Sequence, residues 1–253
     1  MITKENFRYL IVASHRRSGT HLVIDSIFNN FSSVAHGYIN LDRLLPESSQ
    51  KLSVERFQKK IKSKKIRILK THSFGDFSHF DKCKVASDFL KEEIIPFSKV
   101  IYVSRDGRDV LNSLYYYMIA KGVNYSSFSK FLRSRNSSDQ VYTDLSKVEF
   151  LREHKKSWIG VENTISVSYE DMCTDFIKTM SRIENFLGLE IVKAPEKITL
   201  KKYSKISRGV RRLFPSFFNS TAILPRSGGS GGWEKNFSDE DFEYYSSVIK
   251  GVL

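Results

Sequence analysis

Short apolar runs and amphipathic stretches alternate along most of the chain, and turn residues separate them. Each apolar run is short and precedes a turn and a helix-like pattern, which is typical of strands. The predicted strands are Tyr9 to Val12, Arg67 to Lys70, Lys99 to Ser104 and Thr164 to Ser168. The predicted helices are Thr20 to Asn30, Asp109 to Lys121, Lys147 to Gly160, Cys173 to Leu187 and Asp239 to Gly251. Repeated units of this kind predict an α/β fold with a mainly parallel central β-sheet flanked by helices.

A chain of 253 residues can form one sizeable core, and such sheets commonly reach this size without splitting. We therefore expect a single domain over residues 1–253. Ligands of parallel sheets bind at the carboxyl ends of the strands. Arg17, His72, Arg105 and Tyr169 all follow predicted strands, so the fold gathers these candidates at one edge. The polar segment Ser126 to Asp144 is typical of an insertion or a connection.

Cysteine usage and hydropathy indicate the compartment. Cys83 and Cys173 lie far apart without metal-ligand spacing, and no charged-then-apolar leader opens the sequence. We therefore expect a cytoplasmic protein in a reducing environment, with no bound metal. The longest apolar runs, such as Tyr9 to Ala13, are far shorter than the roughly 20 residues that a transmembrane helix needs.

The formal net charge of +13 favours anionic partners, but it does not choose among phosphate, sulfate, nucleic acid and acidic lipid. Much of the excess lies in two segments, Lys59 to Arg67 and Lys201 to Arg212. Four residues of the second segment would share one helix face, because they are spaced at i, i+4, i+7 and i+11: Lys201, Lys205, Arg208 and Arg212. This pattern fits a solvated face over a core stripe, and it also fits a surface for an acidic acceptor or a membrane.

The segment between the first predicted strand and helix, residues 13–21, indicates an anion-binding turn. Backbone N–H groups of such a turn and the positive end of the helix face the anion, while Arg16 and Arg17 add charge. Gly19 permits close backbone approach. The segment lacks the lysine of Gly-x-x-x-x-Gly-Lys-Ser/Thr, so it is not an ordinary nucleotide triphosphate loop.

Further segments follow this loop in the order that one enzyme family uses. They are Arg67 to His72 with its Lys-Thr-His end, Arg105 to Val110 followed by Ser113, Tyr169-Glu170-Asp171, and Arg226 to Phe237 with its Gly-Gly-Trp. With these five motifs the chain resembles the sulfotransferases, which use 3′-phosphoadenosine 5′-phosphosulfate (PAPS). The matches span residues 9 to 237. The resemblance implies a P-loop-like strand, loop and helix that hold the phosphosulfate, and PAPS as co-substrate.

The same resemblance implies roles in sulfuryl transfer. The residues expected at the phosphosulfate are Arg16, Arg17, Ser18, Gly19, Thr20 and His21. Arg17 replaces the family's lysine, and an arginine is a poor general acid because it keeps its proton. Arg17 and Lys70 are expected to stabilise the transferring group and the leaving phosphate. His72 is expected to be the general base, since imidazole can be neutral at the operating pH, with His15, His21 and His36 as competitors.

Recognition of the 3′-phosphate is likewise implied by the resemblance. Arg105 and Ser113 would supply a fork of donors and a hydroxyl, and Arg226, Ser227 and Gly228 would close from the opposite side.

The resemblance also concerns the adenine. Tyr169 would contact adenine or order the loop, and Trp233 would pack the lid. Leu22 stands where the family commonly has a tryptophan against adenine. Another side chain must then stack there, for which Phe217 and Phe218 are candidates.

The acceptor is expected to carry a hydroxyl or an amine, and the basic segments favour a glycan or a lipid-linked sugar. Peripheral membrane contact stays open, and we expect no nucleic-acid partner. Two other functions fit part of the pattern. A P-loop kinase-like phosphotransferase would require Mg²⁺ and ATP turnover. A non-enzymatic polyanion-binding protein would show an affinity that falls steeply with salt.

Overall fold

A computed structural model describes residues 7–44, 50–135, 144–191, 193–196 and 229–251. The described chain divides into two compact units, one within 1–105 and 153–196, the other within 106–152 and 197–253. The basic segment 201–212, Phe217, Phe218 and the loop 226–228 lie outside the described residues. Within the described residues, no helix is long and apolar enough to span a membrane.

The first unit is built on a parallel sheet whose strands include the four predicted ones. Within the described residues the sheet has five strands in the order β2-β3-β1-β4-β5, and each pairing is parallel. The strands are β1 (Tyr9–Ser14), β2 (Val34–Asn40), β3 (Ile66–Thr71), β4 (Ser98–Ser104) and β5 (Thr164–Ser168). The predicted α/β fold with a parallel sheet is confirmed, while β2 was not predicted.

Nine α-helices form within the described residues, five of them near predicted ranges and four that the sequence pattern did not predict. They are α1 (Thr20–Asn30), α2 (Gln50–Ile61), α3 (Lys84–Phe89), α4 (Gly107–Ala120), α5 (Phe128–Arg133), α6 (Lys147–Ser157), α7 (Tyr169–Thr174), α8 (Phe176–Leu187) and α9 (Asp239–Ile249). The single helix predicted from Cys173 to Leu187 is wrong at its start. Ser168 caps a separate α7, because its Oγ accepts from the Asp171 backbone N–H at 2.9 Å, and Asp175 then interrupts the helical backbone.

Alternation along β1 explains how the sheet is covered on both faces. Leu10 and Val12 join a cluster with α1 and α8, whereas Ile11 and Ala13 join a second cluster with α2 and α3. In α1, Val23, Ile24 and Ile27 are at most 1% exposed, and each buried side chain of this size contributes about 1.5–3 kcal/mol. This packing fixes the start of α1 at the carboxyl end of β1.

The second unit has its own apolar cluster, formed by α4, α5, α6 and α9. Phe128, Phe131 and Leu132 bury the apolar face of α5, which forms inside the segment predicted from composition as an insertion. Tyr115 of α4 packs against Phe128 and Phe131. Buried apolar contacts therefore outweigh the polar composition of this segment.

Candidate active site

The turn after β1 has the backbone geometry of an anion cradle. Arg17 and Gly19 both have positive φ, at 72° and 92°. α1 then begins at Thr20 with Gly19 as N-cap, without a side-chain cap hydrogen bond and without an acidic residue in its first turn. The first N–H groups of a helix have no intrahelical partner. Together with the positive end of the helix, they make this turn suited to an anion.

Gly19 cannot be replaced without moving Tyr169. A Cβ built at Gly19 would overlap the Tyr169 ring, and a φ of 92° is itself strained for other residues. Tyr169 begins α7 directly after β5 and is 8% exposed. The loop and the end of β5 are therefore in direct contact.

Arg105 joins this contact from the end of β4. Its Nη1 donates to the Arg17 carbonyl oxygen at 3.2 Å, and its guanidinium carbon lies 4.3 Å from the centroid of the Tyr169 ring. Arg105 thus links the loop to a planar aromatic surface. Three predicted residues, Arg17, Arg105 and Tyr169, are brought together.

Hydroxyl groups connect the turn after β1 to the end of β3. The Ser14 Oγ lies 2.5 Å from the Thr20 Oγ1 and 3.4 Å from the His72 Nδ1. Ser14 and Thr20 are at most 3% exposed. This connects the start of α1 to the residue after β3.

His72 is held in one tautomer. Its Nδ1 lies 2.7 Å from the Ser14 carbonyl oxygen, and a carbonyl can only accept, so Nδ1 carries the proton. The Nε2 of the neutral ring then has a lone pair, and the Lys70 Nζ donates to it at 2.8 Å. The structure therefore pairs Lys70 with His72 directly.

Burial and like charge keep His72 neutral. Burial lowers the pKa of His72 well below 6.5, and the Lys70 ammonium lowers it further. Burial also lowers the pKa of Lys70 itself. His72 is thus ready to accept a proton at neutral pH, once the lone pair is released by Lys70.

His21 belongs to the same region, but as a neutral group. Burial lowers its pKa to about 4, with Lys70 and Arg17 contributing. Its Nε2 lies 3.1 Å from the Tyr38 hydroxyl on β2. Asp25, one turn further along α1, has a pKa that burial raises to about 6. His21 can therefore offer a hydrogen bond rather than a positive charge.

The other two competing histidines, His15 and His36, have different surroundings. His15 is 4% exposed, and its ring packs against the ring of His154 at 5.5 Å. His36 is exposed and stacks on Phe28. Neither has the paired arrangement of His72.

Asp42 is the site residue that sequence reasoning missed. It follows β2 in the short 3₁₀ helix Leu41–Leu44, and its Oδ1 accepts from the Thr71 Oγ1 at 2.6 Å. Both carboxylate oxygens also accept from the His72 backbone N–H, each at 3.2 Å. No motif flags this residue, because its place depends on a strand that the sequence pattern did not predict.

Ser113, of the predicted 3′-phosphate residues, lies half-buried on α4 in the second unit. On the same helix, the Asp109 Oδ2 accepts from the Gly231 backbone N–H at 2.8 Å, and the Asn112 Nδ2 donates to the Gly232 carbonyl oxygen at 2.8 Å. The guanidinium carbon of Arg108 lies 4.0 Å from the centroid of the Trp233 ring. Arg226, Ser227 and Gly228 fall outside the described residues. The start of the described 229–251 segment is thus attached to α4.

Leu22 does not offer a stacking surface. It packs against the hydrophobic cluster of α1 and the sheet.

Comparison with known proteins bears on the family and the fold of the chain. Sulfotransferase 2B1 of Mus musculus is 30% identical over 169 residues, which is 60% of this chain and 47% of that protein. The 3-alpha-hydroxysteroid sulfotransferase of Cavia porcellus is 25% identical over 165 residues, 60% of this chain and 55% of that protein. The chain spans about half the length of the curated relatives that it matches.

Two solved structures share the fold. Mouse sulfotransferase SULT7A1 complexed with PAP has a TM-score of 0.61 at 19% identity, covering 95% of this chain and 83% of that chain. Retinol dehydratase in complex with androsterone and inactive cofactor PAP has a TM-score of 0.64 at 18% identity, covering 97% of this chain and 80% of that chain. The sulfotransferase domain model matches residues 8–253. The chain therefore belongs to the sulfotransferase family.

Proposed function

We propose that this protein is a PAPS-dependent sulfotransferase that transfers a sulfuryl group to a hydroxyl acceptor. Family membership supports the reaction class. The observation that carries the proposal is the pairing of His72, whose Nδ1 proton is fixed on the Ser14 carbonyl, with Lys70 at Nε2. A base of known tautomer beside an anion-binding turn is what transfer to a hydroxyl requires.

The residues of the turn fit a phosphosulfate. α1 begins without a side-chain cap, the backbone of Gly19 is close-packed on Tyr169, and Arg17 adds charge. Arg16, Ser18, Thr20 and His21 complete the proposed donor site. PAPS supplies the sulfuryl group, whose bond to the 5′-phosphate oxygen breaks as the acceptor oxygen bonds to sulfur.

His72 accepts the acceptor's hydroxyl proton at Nε2 in this proposal. Lys70 releases that lone pair when its ammonium turns to the negative charge of the transferring group. Arg17 offsets charge on the leaving phosphate oxygen without giving up a proton, because a guanidinium stays protonated. The leaving phosphate therefore departs as an anion held by Arg17 and the backbone N–H groups of the turn.

Recognition of the 3′-phosphate is proposed for Arg105 and Ser113, with Arg226, Ser227 and Gly228. The support is the resemblance of these segments to the family patterns, together with the contact of Arg105 to the loop carbonyl. Tyr169 is proposed to border the adenine, since its ring already lies against Gly19 and Arg105.

A hydroxyl is the accepting group that the relatives support, because one of them is named for a 3-alpha-hydroxysteroid. For the acceptor class we propose a glycan or a lipid-linked sugar, since the formal net charge of +13 favours an anionic acceptor. A cytoplasmic location, the absence of a required metal and a single domain over 1–253 remain predictions.

Calorimetric titration tests the donor site. Adenosine 3′,5′-bisphosphate, the expected product, is compared with AMP and ATP at one salt concentration. Tighter binding of the 3′-phosphorylated ligand supports the proposal. Equal or absent binding contradicts it, and Mg²⁺-dependent ATP turnover would point to a phosphotransferase instead. Labelled PAPS with steroid and sugar acceptors then identifies the acceptor.

A further inference from the structure

A carboxylate from a neighbouring strand holds the turn that carries His72. Asp42 accepts from the Thr71 hydroxyl at 2.6 Å and from the His72 backbone N–H at 3.2 Å. The Thr71 Oγ1 in turn accepts from the Ser73 backbone N–H at 3.0 Å. One carboxylate therefore fixes three consecutive residues at the carboxyl end of β3.

Two further hydrogen bonds support the residues that follow His72. The Trp158 Nε1 donates to the Ser73 carbonyl oxygen at 3.2 Å, and the Ser157 Oγ accepts from the Gly75 backbone N–H at 2.9 Å. Those groups are neutral and hold only backbone. Asp42 differs from them because it brings a negative charge close to the reacting pair.

Lys70 lies among several charged or titratable groups. Arg43 follows Asp42 in the 3₁₀ helix, Arg16 lies in the turn after β1, and His72 pairs with Lys70 directly. His21 of α1 also senses the Lys70 charge. Burial and the two arginines lower the pKa of Lys70, whereas Asp42 raises it. Asp42 thus counteracts the forces that would remove the ammonium proton.

We infer that Asp42 is a positioning residue: its hydrogen bonds to Thr71 and to the His72 backbone align His72, and its carboxylate holds a negative charge at the end of β3, which carries the Lys70–His72 pair. The inference rests on the proposed function for its catalytic meaning. The effect of Asp42 on Lys70 can be tested without the donor, because it involves only residues of this chain. A merely structural aspartate would hold the turn without influencing when Lys70 loses its proton.

Asp42→Asn separates the two roles. The amide has nearly the same shape and keeps an oxygen that can accept from Thr71 and His72, but it has no charge. Asp42→Glu keeps the charge with a longer side chain. Asp76→Asn is the matched control, because Asp76 is exposed and its Oδ1 accepts from the Ser78 backbone N–H at 3.0 Å.

The first readout is an NMR titration of the Lys70 side chain in the protein without donor. The inference predicts that the Lys70 titration midpoint moves to lower pH in Asp42→Asn, and stays near that of wild type in Asp42→Glu and Asp76→Asn. An unmoved midpoint in folded Asp42→Asn overturns the inference. If Asp42→Asn does not fold, Asp42→Glu decides instead. Because Asp42→Glu keeps the charge, a Lys70 midpoint that falls in this variant as far as removal of the charge would lower it overturns the inference as well.

The second readout is the pH profile of kcat with labelled PAPS. Asp42→Asn is expected to lower kcat about tenfold to a hundredfold and to move the alkaline limb to lower pH, with affinity for adenosine 3′,5′-bisphosphate preserved. If kcat drops but the alkaline limb of the pH profile does not move, Asp42 has only a structural role and the inference is overturned. Wild-type protein that neither binds this nucleotide nor transfers sulfuryl refutes the proposed function instead, while the Lys70 titration still decides the inference.

Discussion

The anion-binding turn that follows β1, within residues 13–21, has two sides that are constructed differently. On the β3 side, hydrogen bonds connect Ser14, Lys70 and His72, and the protonation states of Lys70 and His72 decide which group donates and which accepts. On the β4 and β5 side, Arg105 and Tyr169 form a stacked pair against Gly19, and shape decides the contact. Under the proposed function, the first side serves proton transfer and the second side serves nucleotide binding.

This division predicts that changes on the two sides have separable effects. A substitution on the β3 side should reduce the rate of transfer at unchanged nucleotide affinity. A substitution on the β4 and β5 side should reduce affinity first. If a substitution on one side reduced both the transfer rate and the nucleotide affinity, the division would be contradicted.

His72→Ala has the largest expected effect. Without the Nε2 lone pair no group of this pair can take the acceptor proton, and general base catalysis is worth roughly 10²- to 10⁴-fold. Transfer from labelled PAPS should fall by about that factor. Affinity for adenosine 3′,5′-bisphosphate, measured by calorimetry, should change little.

The control for this variant is His36→Ala, since His36 is exposed and stacks on Phe28. It should transfer sulfuryl at the wild-type rate. Equal losses in both histidine variants would mean that His72 has no special role. Loss of nucleotide affinity in His72→Ala would mean that the two sides are not separable.

Arg105→Ala should have the next largest effect, this time on binding. A charge-assisted hydrogen bond to phosphate contributes about 1.5–3 kcal/mol, which corresponds to roughly a tenfold to hundredfold weaker Kd. Calorimetry should show this loss for adenosine 3′,5′-bisphosphate and a smaller loss for AMP. Equal losses for both nucleotides would show that Arg105 supports the loop and does not read the 3′-phosphate.

Sequence periodicity predicted the elements that are buried on a regular pattern. The predicted bounds of α1, Thr20 and Asn30, agree with the structure, because Gly19 precedes an apolar stripe of helical period. β2 was not predicted because Gly37 and exposed His36 interrupt its alternation. As an edge strand with a shifted register between Val34 and Tyr38, β2 depends on β3 for its structure.

The same limit explains which site residues were found. Arg17, His72 and Arg105 follow strands that the sequence pattern predicted, so they could be placed at one sheet edge. Asp42 follows β2, and only the adjacency of β2 to β3 brings its carboxylate to His72. The position of Asp42 in the site therefore depends on strand pairing, which the local sequence pattern does not reveal.

Stability at low pH should also distinguish the two sides. Because the pKa of His72 is lowered in the folded protein, the unfolded chain binds more protons there as the pH falls below about 6.5. The free energy of unfolding should therefore decrease from that pH downwards, as urea titrations at several pH values would measure. His72→Asn should make this decrease less steep. Arg105→Gln should leave its slope as in wild type, since a guanidinium does not titrate in this range; equal slopes for wild type and His72→Asn would contradict the assignment.

The smallest expected effect is that of Tyr169→Leu. The variant removes the ring beneath the Arg105 guanidinium, and an interaction of this kind contributes about 0.5–1 kcal/mol, so nucleotide Kd should rise roughly twofold to fivefold. Tyr169→Phe should lose less, because the ring against Gly19 and Arg105 remains. Calorimetry with adenosine 3′,5′-bisphosphate measures both. A larger loss in Tyr169→Phe than in Tyr169→Leu would show that the hydroxyl, and not the ring, serves the nucleotide, and the β4 and β5 side would then depend on proton positions as the β3 side does.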